Sequence, residues 1–460
     1  MVHELLRRVA VVDPDRVAVV THDGSWTYAQ LLEAAERAAS ALTDLAGDAQ
    51  GGRRLGVVDF EAADVVPLLA AASLVGAEVC LYPPVEPDEV ADLARRLDHD
   101  ALVTDRDDLD GAAATVLDVR DLLDDGPRGP SVAAVAEGDA RPHLVLTTGT
   151  TGAPRGVRHD WERLLRGVRR VGPAPEQRWL LAYGLHQFAG LQVLLHVLAA
   201  GATLVAPAPR RPREGLAAMR ALGVTHASAT PTYWRFLLAE ARGDGLGLPP
   251  LEQVTMGGEA IPGPLLGDVH AAFPSASVSQ VYAASEFGST GSQRDDRPGL
   301  STDVLDRGDD ADVDLRIVDG ELWIRSRTGM LGYHGDEPVD PDAWRPTGDL
   351  VEVVDDRILF RGRSSEVINV GGVKVHPLPI EERVGAVPGV DVARVFARPN
   401  PMTGSVVALE VVAAPGHDHD ALKASLKAAC ADLPPAARPR SIRFVDDVAT
   451  AGGKIVRRQQ

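Results

Sequence analysis

Apolar positions along the chain fall into two alternating rhythms. Over residues 25–42, Leu31, Leu32, Ala35, Ala38, Ala39 and Leu42 recur at helical spacing, with Ser25 as a capping candidate. Residues 54–60 read as a strand, 62–75 as a helix, 78–82 as a strand and 90–97 as a helix. The alternation returns as strand 179–183, helix 190–199, strand 202–205, helix 212–222 and strand 225–228. Strands alternating with helices predict parallel sheets built from strand–helix–strand units. The most apolar stretch, 65–77, contains Pro67 and Gly76 and is flanked by Asp64 and Glu78. It is well short of the ~20 residues a bilayer span needs, so it predicts a buried helix of a soluble enzyme.

The texture changes after Asp312. Residues 313–318, 321–325, 351–354 and 358–360 are short apolar runs separated by tight turns, which predicts antiparallel strands. A boundary is expected near 361–365. Beyond it, strands at 373–376, 392–398, 406–412 and 441–444 and a helix at 418–431 suit a small α+β domain. The acidic stretch 121–139, with its Pro and Gly, reads as a surface connection. The expected fold class is α/β. A large N-terminal domain (1–361) holds α/β subdomains and a small antiparallel part, and a small, mobile α+β C-terminal domain (362–460) follows.

Composition narrows the function. The chain has 460 residues and a net charge of −19, from 66 acidic and 47 basic side chains. That balance disfavours nonspecific nucleic-acid binding, which needs clustered Lys and Arg. With 45% hydrophobic and 25% charged residues, the chain is not mainly disordered. Its only cysteines, Cys80 and Cys430, cannot build a disulfide framework, and predict reduced thiols in a cytoplasm. The start, Met1-Val2-His3-Glu4-Leu5, lacks the charged leader and apolar core of a secretory signal.

Five short blocks carry candidate chemistry. Leu146-Thr147-Thr148-Gly149-Thr150-Thr151-Gly152-Ala153-Pro154-Arg155-Gly156 follows an apolar strand. Its glycines let backbone N–H groups turn toward an anion, and its hydroxyls add donors, so it suits phosphate. Pro154 stands where a Walker-type loop would continue toward Gly-Lys-Ser/Thr, so it is not that loop. Gln280-Val281-Tyr282-Ala283-Ala284-Ser285-Glu286 offers a ring for a base, a hydroxyl for phosphate and a carboxylate for Mg²⁺. In Trp344-Arg345-Pro346-Thr347-Gly348-Asp349, a carboxylate after a glycine turn can accept from both ribose hydroxyls. A fourth block runs from Gly362-Arg363 through Ser365, Gly371-Gly372 and Lys374 to Pro377, and a fifth is Gly452-Gly453-Lys454. From Leu433 to the end, six Lys/Arg stand against two acids, a local cationic arm suited to polyphosphate.

The order and spacing of these blocks resemble the AMP-forming acyl-CoA synthetases and the wider adenylate-forming ligases, which include luciferases and peptide-synthetase adenylation domains. The resemblance spans essentially the whole chain, including Pro14-Asp15-Arg16-Val17-Ala18 and Trp26-Thr27-Tyr28. It implies that Thr147, Thr148, Gly149, Thr150, Thr151 and Gly152 grip the outer phosphates of ATP. Gly258, Glu259 and Ala260 lie against adenine, with Tyr282 on its other face. Ser285 touches the α-phosphate, Glu286 holds Mg²⁺, and Asp349 and Arg363 bind the ribose. Lys454 bridges the incoming carboxylate and the α-phosphate. Gly372 and Lys374 border the coenzyme A tunnel and the nascent thioester. His186, Gly257 and Ala283 line the acyl pocket, and Ser365 marks a hinge at 363–366.

The resemblance thus implies ATP-dependent activation of a carboxylic acid to an acyl-adenylate, then transfer to coenzyme A with release of AMP and pyrophosphate. The pocket segment around His186 resembles succinylbenzoate and aryl-acid ligases, and no cationic side chain is obvious in it. A bulky apolar or aromatic acid is expected. Several positions depart from the family pattern: Thr148 for Ser, Arg155 for Lys, Ser365 for Asp or Lys, Ala283 for Gly and Pro379 for Glu. They leave open a ligase specialised for thioester formation from a preformed acyl-adenylate. An acyl carrier protein could replace coenzyme A as acceptor, and luciferase-like oxidation is a third option.

Overall fold

A computed structural model describes residues 1–46, 53–109, 111–113, 115–123, 142–148, 154–308 and 310–457. The predicted alternation of strands and helices builds two mainly parallel sheets. In one, the order is Gly288–Gln293, Ser277–Ala284, Gln253–Gly257, His226–Ala229, Arg178–Leu181, Thr203–Val205, Val17–Val20, Ser25–Thr27. Its six inner strands are parallel, and an antiparallel strand closes each edge. The other has seven strands, with Arg54–Val57, Glu78–Leu81 and Ala101–Thr104 at its parallel centre. One continuous apolar cluster joins the two sheets through the helices Tyr28–Ala46, Ala62–Val75 and Phe188–Ala200. Ala62–Val75 is buried almost all round, which explains why its sequence is apolar on every face.

Ser25 is not a helix cap. Ser25–Thr27 is an edge strand paired with Val17–Val20, and the helix begins at Tyr28. Alternation over three residues is too short to betray such a strand. The connection expected at 121–139 lies outside the described residues from 124 on, while Val119–Leu123 is a helical turn.

As expected, the chain after Asp312 turns antiparallel. Leu300–Ser301, Arg357–Arg363, Arg345–Val354, Glu321–Ser326 and Val313–Val318 form a five-stranded sheet in that order. A small C-terminal α+β unit follows. Its long strands Val390–Asn400 and Gly404–Ala413 pair antiparallel, Ser441–Phe444 adds in parallel, and the helices Pro377–Gly385 and His419–Ala429 complete it. The unit has its own apolar cluster, centred on Val384, Val395, Val407, Val411 and Leu426. No described helix is long and apolar enough to cross a membrane.

Candidate active site

Gly257–Ala260 and Tyr282–Glu286 lie at the carboxyl ends of parallel strands of the eight-stranded sheet, the usual ligand side of such sheets. The tightest corner joins two sheets. Asp349 and Arg363 are direct register partners on adjacent antiparallel strands. Tyr282 reaches them from the end of Ser277–Ala284. Tyr282 Oη donates to Asp349 Oδ2 (2.6 Å), and Arg363 Nε donates to Asp349 Oδ1 (2.9 Å). A further Arg363 N–H donates to the Thr347 carbonyl (3.1 Å). The Asp349 carboxylate raises the Arg363 pKa. Burial, reinforced by Asp349, drives the Tyr282 hydroxyl far above its ordinary range, so it remains a donor. The Tyr282 ring rests on Phe287 and Phe360, with centroids 5.3 and 5.1 Å away.

Beyond Tyr282 the chain turns through Ser285 and Glu286, whose placement depends on the neighbouring sheet. His159 Nε2 donates to the Ser285 carbonyl (2.8 Å). Burial pushes His159 down to about 4, so the ring is neutral at neutral pH, with its single N–H fixed by that carbonyl. Tyr333 Oη donates to Glu286 Oε1 (3.3 Å). Over the Tyr333 ring, 3.5 Å from its centroid, lies the Arg155 guanidinium, which also pairs with Asp336. Burial and then the Glu286 charge raise Tyr333 to about 12.

The segment read as a phosphate loop starts and ends as paired strands. Thr147 lies opposite Arg155, and Thr148 opposite Pro154. Gly149, Thr150, Thr151 and Gly152 lie outside the described residues.

Lys454, read from the sequence as part of a cationic arm, sits in a hairpin docked on the large domain. Thr450–Ala451 and Lys454–Ile455 form a small antiparallel hairpin against the large domain. A Cβ built on Gly258 would lie 3.5 Å from Lys454 Nζ. The lysine still faces open water, although protein atoms crowd it on most sides. That crowding lowers the ammonium pKa, opposed above all by Glu259 and then by Glu286 and Asp349. Arg457 is no free cation either. Its Nε is 3.0 Å from both Glu381 carboxylate oxygens, and another N–H reaches Glu366 (3.3 Å). Counting charges along the sequence could not show partners 76 and 91 residues away.

His186, Gly257 and Ala283, expected from the resemblance on the acyl side, lie at the carboxyl ends of Arg178–Leu181, Gln253–Gly257 and Ser277–Ala284. The His186 ring sits directly over Gly184, where a Cβ would fall 2.3 Å from it. Burial, and secondarily Arg210, press His186 down to about 4. Tyr183 Oη donates to the Gly257 carbonyl (3.2 Å), and Ala283 sits half-buried on the next strand. Arg210, in the turn after Thr203–Val205, lies outside that pocket segment, and its charge helps to lower the His186 pKa. Its Nε is buried with no hydrogen-bond partner among the described residues. By contrast, Gly372 and Lys374 are exposed on the hairpin of Ile368–Val370 and Val373–Val375. Among the described residues, no hydrogen bond or ion pair joins them to the Tyr282–Asp349–Arg363 corner or the lysine hairpin. Ser365 is exposed in the short helical turn Ser364–Glu366.

A family model described as AMP-binding enzyme matches residues 6–334, and one described as AMP-binding enzyme C-terminal domain matches residues 379–454. The chain belongs to the AMP-binding enzyme family. A medium/long-chain-fatty-acid–[acyl-carrier-protein] ligase of Mycobacterium tuberculosis is 27% identical over 98% of this chain and 86% of its own length. A 2-succinylbenzoate–CoA ligase of Salmonella typhimurium is 30% identical, but the match takes in only 54% of this chain and 53% of that ligase. The crystal structure of an anthranilate CoA ligase in complex with anthranoyl-AMP superimposes with a TM-score of 0.84 at 22% identity, covering 99% of this chain and 95% of that one. That likeness establishes the fold.

Several residues that shape this AMP-binding enzyme's cleft escaped the sequence reading. Tyr333, His159, Thr230 and Gln187 act through one hydrogen bond each on a backbone or carboxylate far away in sequence. Only Gln187, adjacent to His186, carried a positional hint.

Proposed function

We propose that this AMP-binding enzyme activates a carboxylic acid with ATP to an acyl-adenylate and then transfers the acyl group to the thiol of coenzyme A. The observation that carries the reading is the approach of Lys454 to Gly258, with Glu259, Glu286 and Asp349 all acting on its charge. One cation thereby meets carboxylates of the cleft beside the Tyr282–Asp349–Arg363 corner. In the first step a carboxylate oxygen attacks the α-phosphorus and pyrophosphate leaves. In the second a thiolate attacks the acyl carbon and AMP leaves. Lys454 offsets the repulsion between the carboxylate and the phosphate as the new P–O bond forms. Asp349 and Arg363 take the ribose, and Tyr282 and the Gly258–Ala260 turn flank the base. Ser285 and the Thr147–Gly152 segment take the phosphates.

Glu286 fits a hard cation. It is a half-exposed carboxylate with one oxygen already held by Tyr333 and the other without a hydrogen bond among the described residues. Mg²⁺ bound there supplies charge neutralisation for ATP. His186, Gly257 and Ala283 bound the acyl pocket, and a bulky apolar or aromatic acid suits it.

The end of the strand Arg357–Arg363 supports a hinge at 363–366, around Ser365, and rotation about it would bring Gly372 and Lys374 to the thiol. A cytoplasmic setting goes with two buried free cysteines. An acyl carrier protein as acceptor is the second reading, favoured by the Mycobacterium tuberculosis relative. The test is AMP release from ATP across a panel of aromatic, alicyclic and medium-chain acids, with coenzyme A or a phosphopantetheinylated carrier protein. AMP formation that depends on acid and thiol is expected. Its absence across the panel with both thiols overturns the reading.

A further inference from the structure

The lysine hairpin is held by three large-domain side chains, each following a different strand of the eight-stranded sheet. Gln187 Nε2 donates to the Gly452 carbonyl (2.8 Å), and Thr230 Oγ1 donates to the Gly453 carbonyl (2.6 Å). Glu259 works differently. Its Oε1 accepts the Ile455 N–H (3.0 Å) and its Oε2 accepts the Thr232 N–H (3.1 Å). One carboxylate therefore joins the residue after Lys454 to the first turn of the helix Pro231–Asp244. All three contacts go to hairpin backbone, so they fix where the hairpin sits regardless of its side chains.

The fit is close. Gly258 has φ +85°, and a Cβ there would lie 3.2 Å from Lys454 Cε. Gly452 has φ +58°, and a Cβ there would lie 2.6 Å from Gln187 Nε2. Gln187 also accepts the Gly184 N–H through Oε1 (2.9 Å), so the same amide ties the His186 turn to the hairpin.

From this geometry we infer that Glu259 is the positioning residue for Lys454, docking the hairpin by accepting one backbone N–H from each domain. The inference rests on the proposed acid activation only for its kinetic consequence. A carboxylate is acceptor-only and can serve two N–H groups at once. A carboxamide has one acceptor oxygen, so in Glu259→Gln its NH₂ must face one of those two N–H groups. Glu259 also leads the charges that oppose desolvation of the Lys454 ammonium. Gln187 gives the dock a link to the acyl side of the cleft.

The first measurement needs no substrate. Hydrogen–deuterium exchange of the full-length protein is followed in peptides spanning 450–457 and, as a control, in the buried strand Gln253–Gly257. Glu259→Gln should speed exchange across 450–457 by about tenfold or more, the size expected for a lost hydrogen bond to a charged group, and leave the control unchanged. Gln187→Ala should speed it severalfold, and it serves as the second variant should Glu259→Gln fail to fold. Unchanged exchange across 450–457 overturns the dock in either variant.

The second measurement separates the half-reactions, using an acid accepted in the panel above. Adenylation kcat, read by pyrophosphate exchange, should fall by a larger factor than the ATP KM rises, while thiolysis of supplied acyl-adenylate is retained. Faster exchange with unchanged adenylation kcat overturns the positioning role. A raised ATP KM with unchanged exchange assigns Glu259 to the nucleotide instead, and also overturns it. Should no acid be activated, the exchange result still decides the dock, so failure of the catalytic reading is distinguishable from failure of this one.

Discussion

The proposed ribose corner and the lysine hairpin both act on Lys454, yet they are built from opposite materials. At the corner, Tyr282, Asp349 and Arg363 bind one another by side chains, and two of the three are cross-strand partners in a single sheet. At the hairpin, the hydrogen bonds from large-domain side chains go to backbone groups of the C-terminal unit, and Ile455 adds a small apolar cluster with Val392 and Val448 against Phe236. Charge-assisted contacts within one sheet make a permanent receptor. The hydrogen bonds that hold the hairpin are few, two of them between neutral groups, and make a joint that can open. A site that must form a mixed anhydride and then admit a thiol needs one part of each kind, because water must be excluded between the steps.

The largest expected effect comes from removing the charge the joint carries. Lys454→Ala should cut adenylate formation on the order of 100–1000-fold, the scale for losing one strong transition-state contact. Thiolysis of supplied acyl-adenylate should stay near the wild-type rate, because that step follows departure of the hairpin. If both half-reactions fall equally, the hairpin is part of the permanent receptor and the contrast collapses.

The next effect should appear in binding. Asp349→Ala removes the acceptor of Tyr282 and Arg363 together with the proposed ribose contacts. Hydrogen bonds to charged groups contribute about 1.5–3 kcal/mol each, so AMP affinity should drop roughly tenfold to a hundredfold by calorimetry. The substitution should weaken nucleotide binding with or without the docked hairpin. Unchanged affinity takes Asp349 out of the site.

The same contrast explains what could be read from sequence. The helix Ala62–Val75 is apolar on every face because it is buried on every face, so its bounds follow from composition alone. Asp349 and Lys454 stood out because a carboxylate or ammonium beside glycine turns is unusual for mere structure. Gln187 and Thr230 gave no comparable signal: a neutral amide or hydroxyl after a strand end serves many turns, and its partner here lies more than 200 residues away. Arg457 read as tail charge for the same reason, since pairing with Glu381 is a property of the folded unit. Long-range contacts to backbone leave no pattern in the residue that is contacted.

Arg155 sharpens the comparison at the smallest scale. It replaces the expected lysine at the end of the phosphate segment, and its guanidinium is committed to the Tyr333 ring and to Asp336. Tyr333 in turn holds Glu286, so Arg155 belongs to the permanent receptor as a lid on its metal-side corner. A lysine keeps the charge but loses the planar stack. Because Arg155 is substantially exposed, the stack and the ion pair contribute only about 0.5–1 kcal/mol each. Arg155→Lys should therefore lower the melting temperature by no more than about 2–4 °C. ATP affinity should shift less than about threefold, well inside the tenfold that 1.4 kcal/mol represents. A tenfold loss of ATP affinity at an unchanged melting temperature would mean that Arg155 leaves its stack to hold phosphate, which would move it from the fixed half of the site to the half that rearranges.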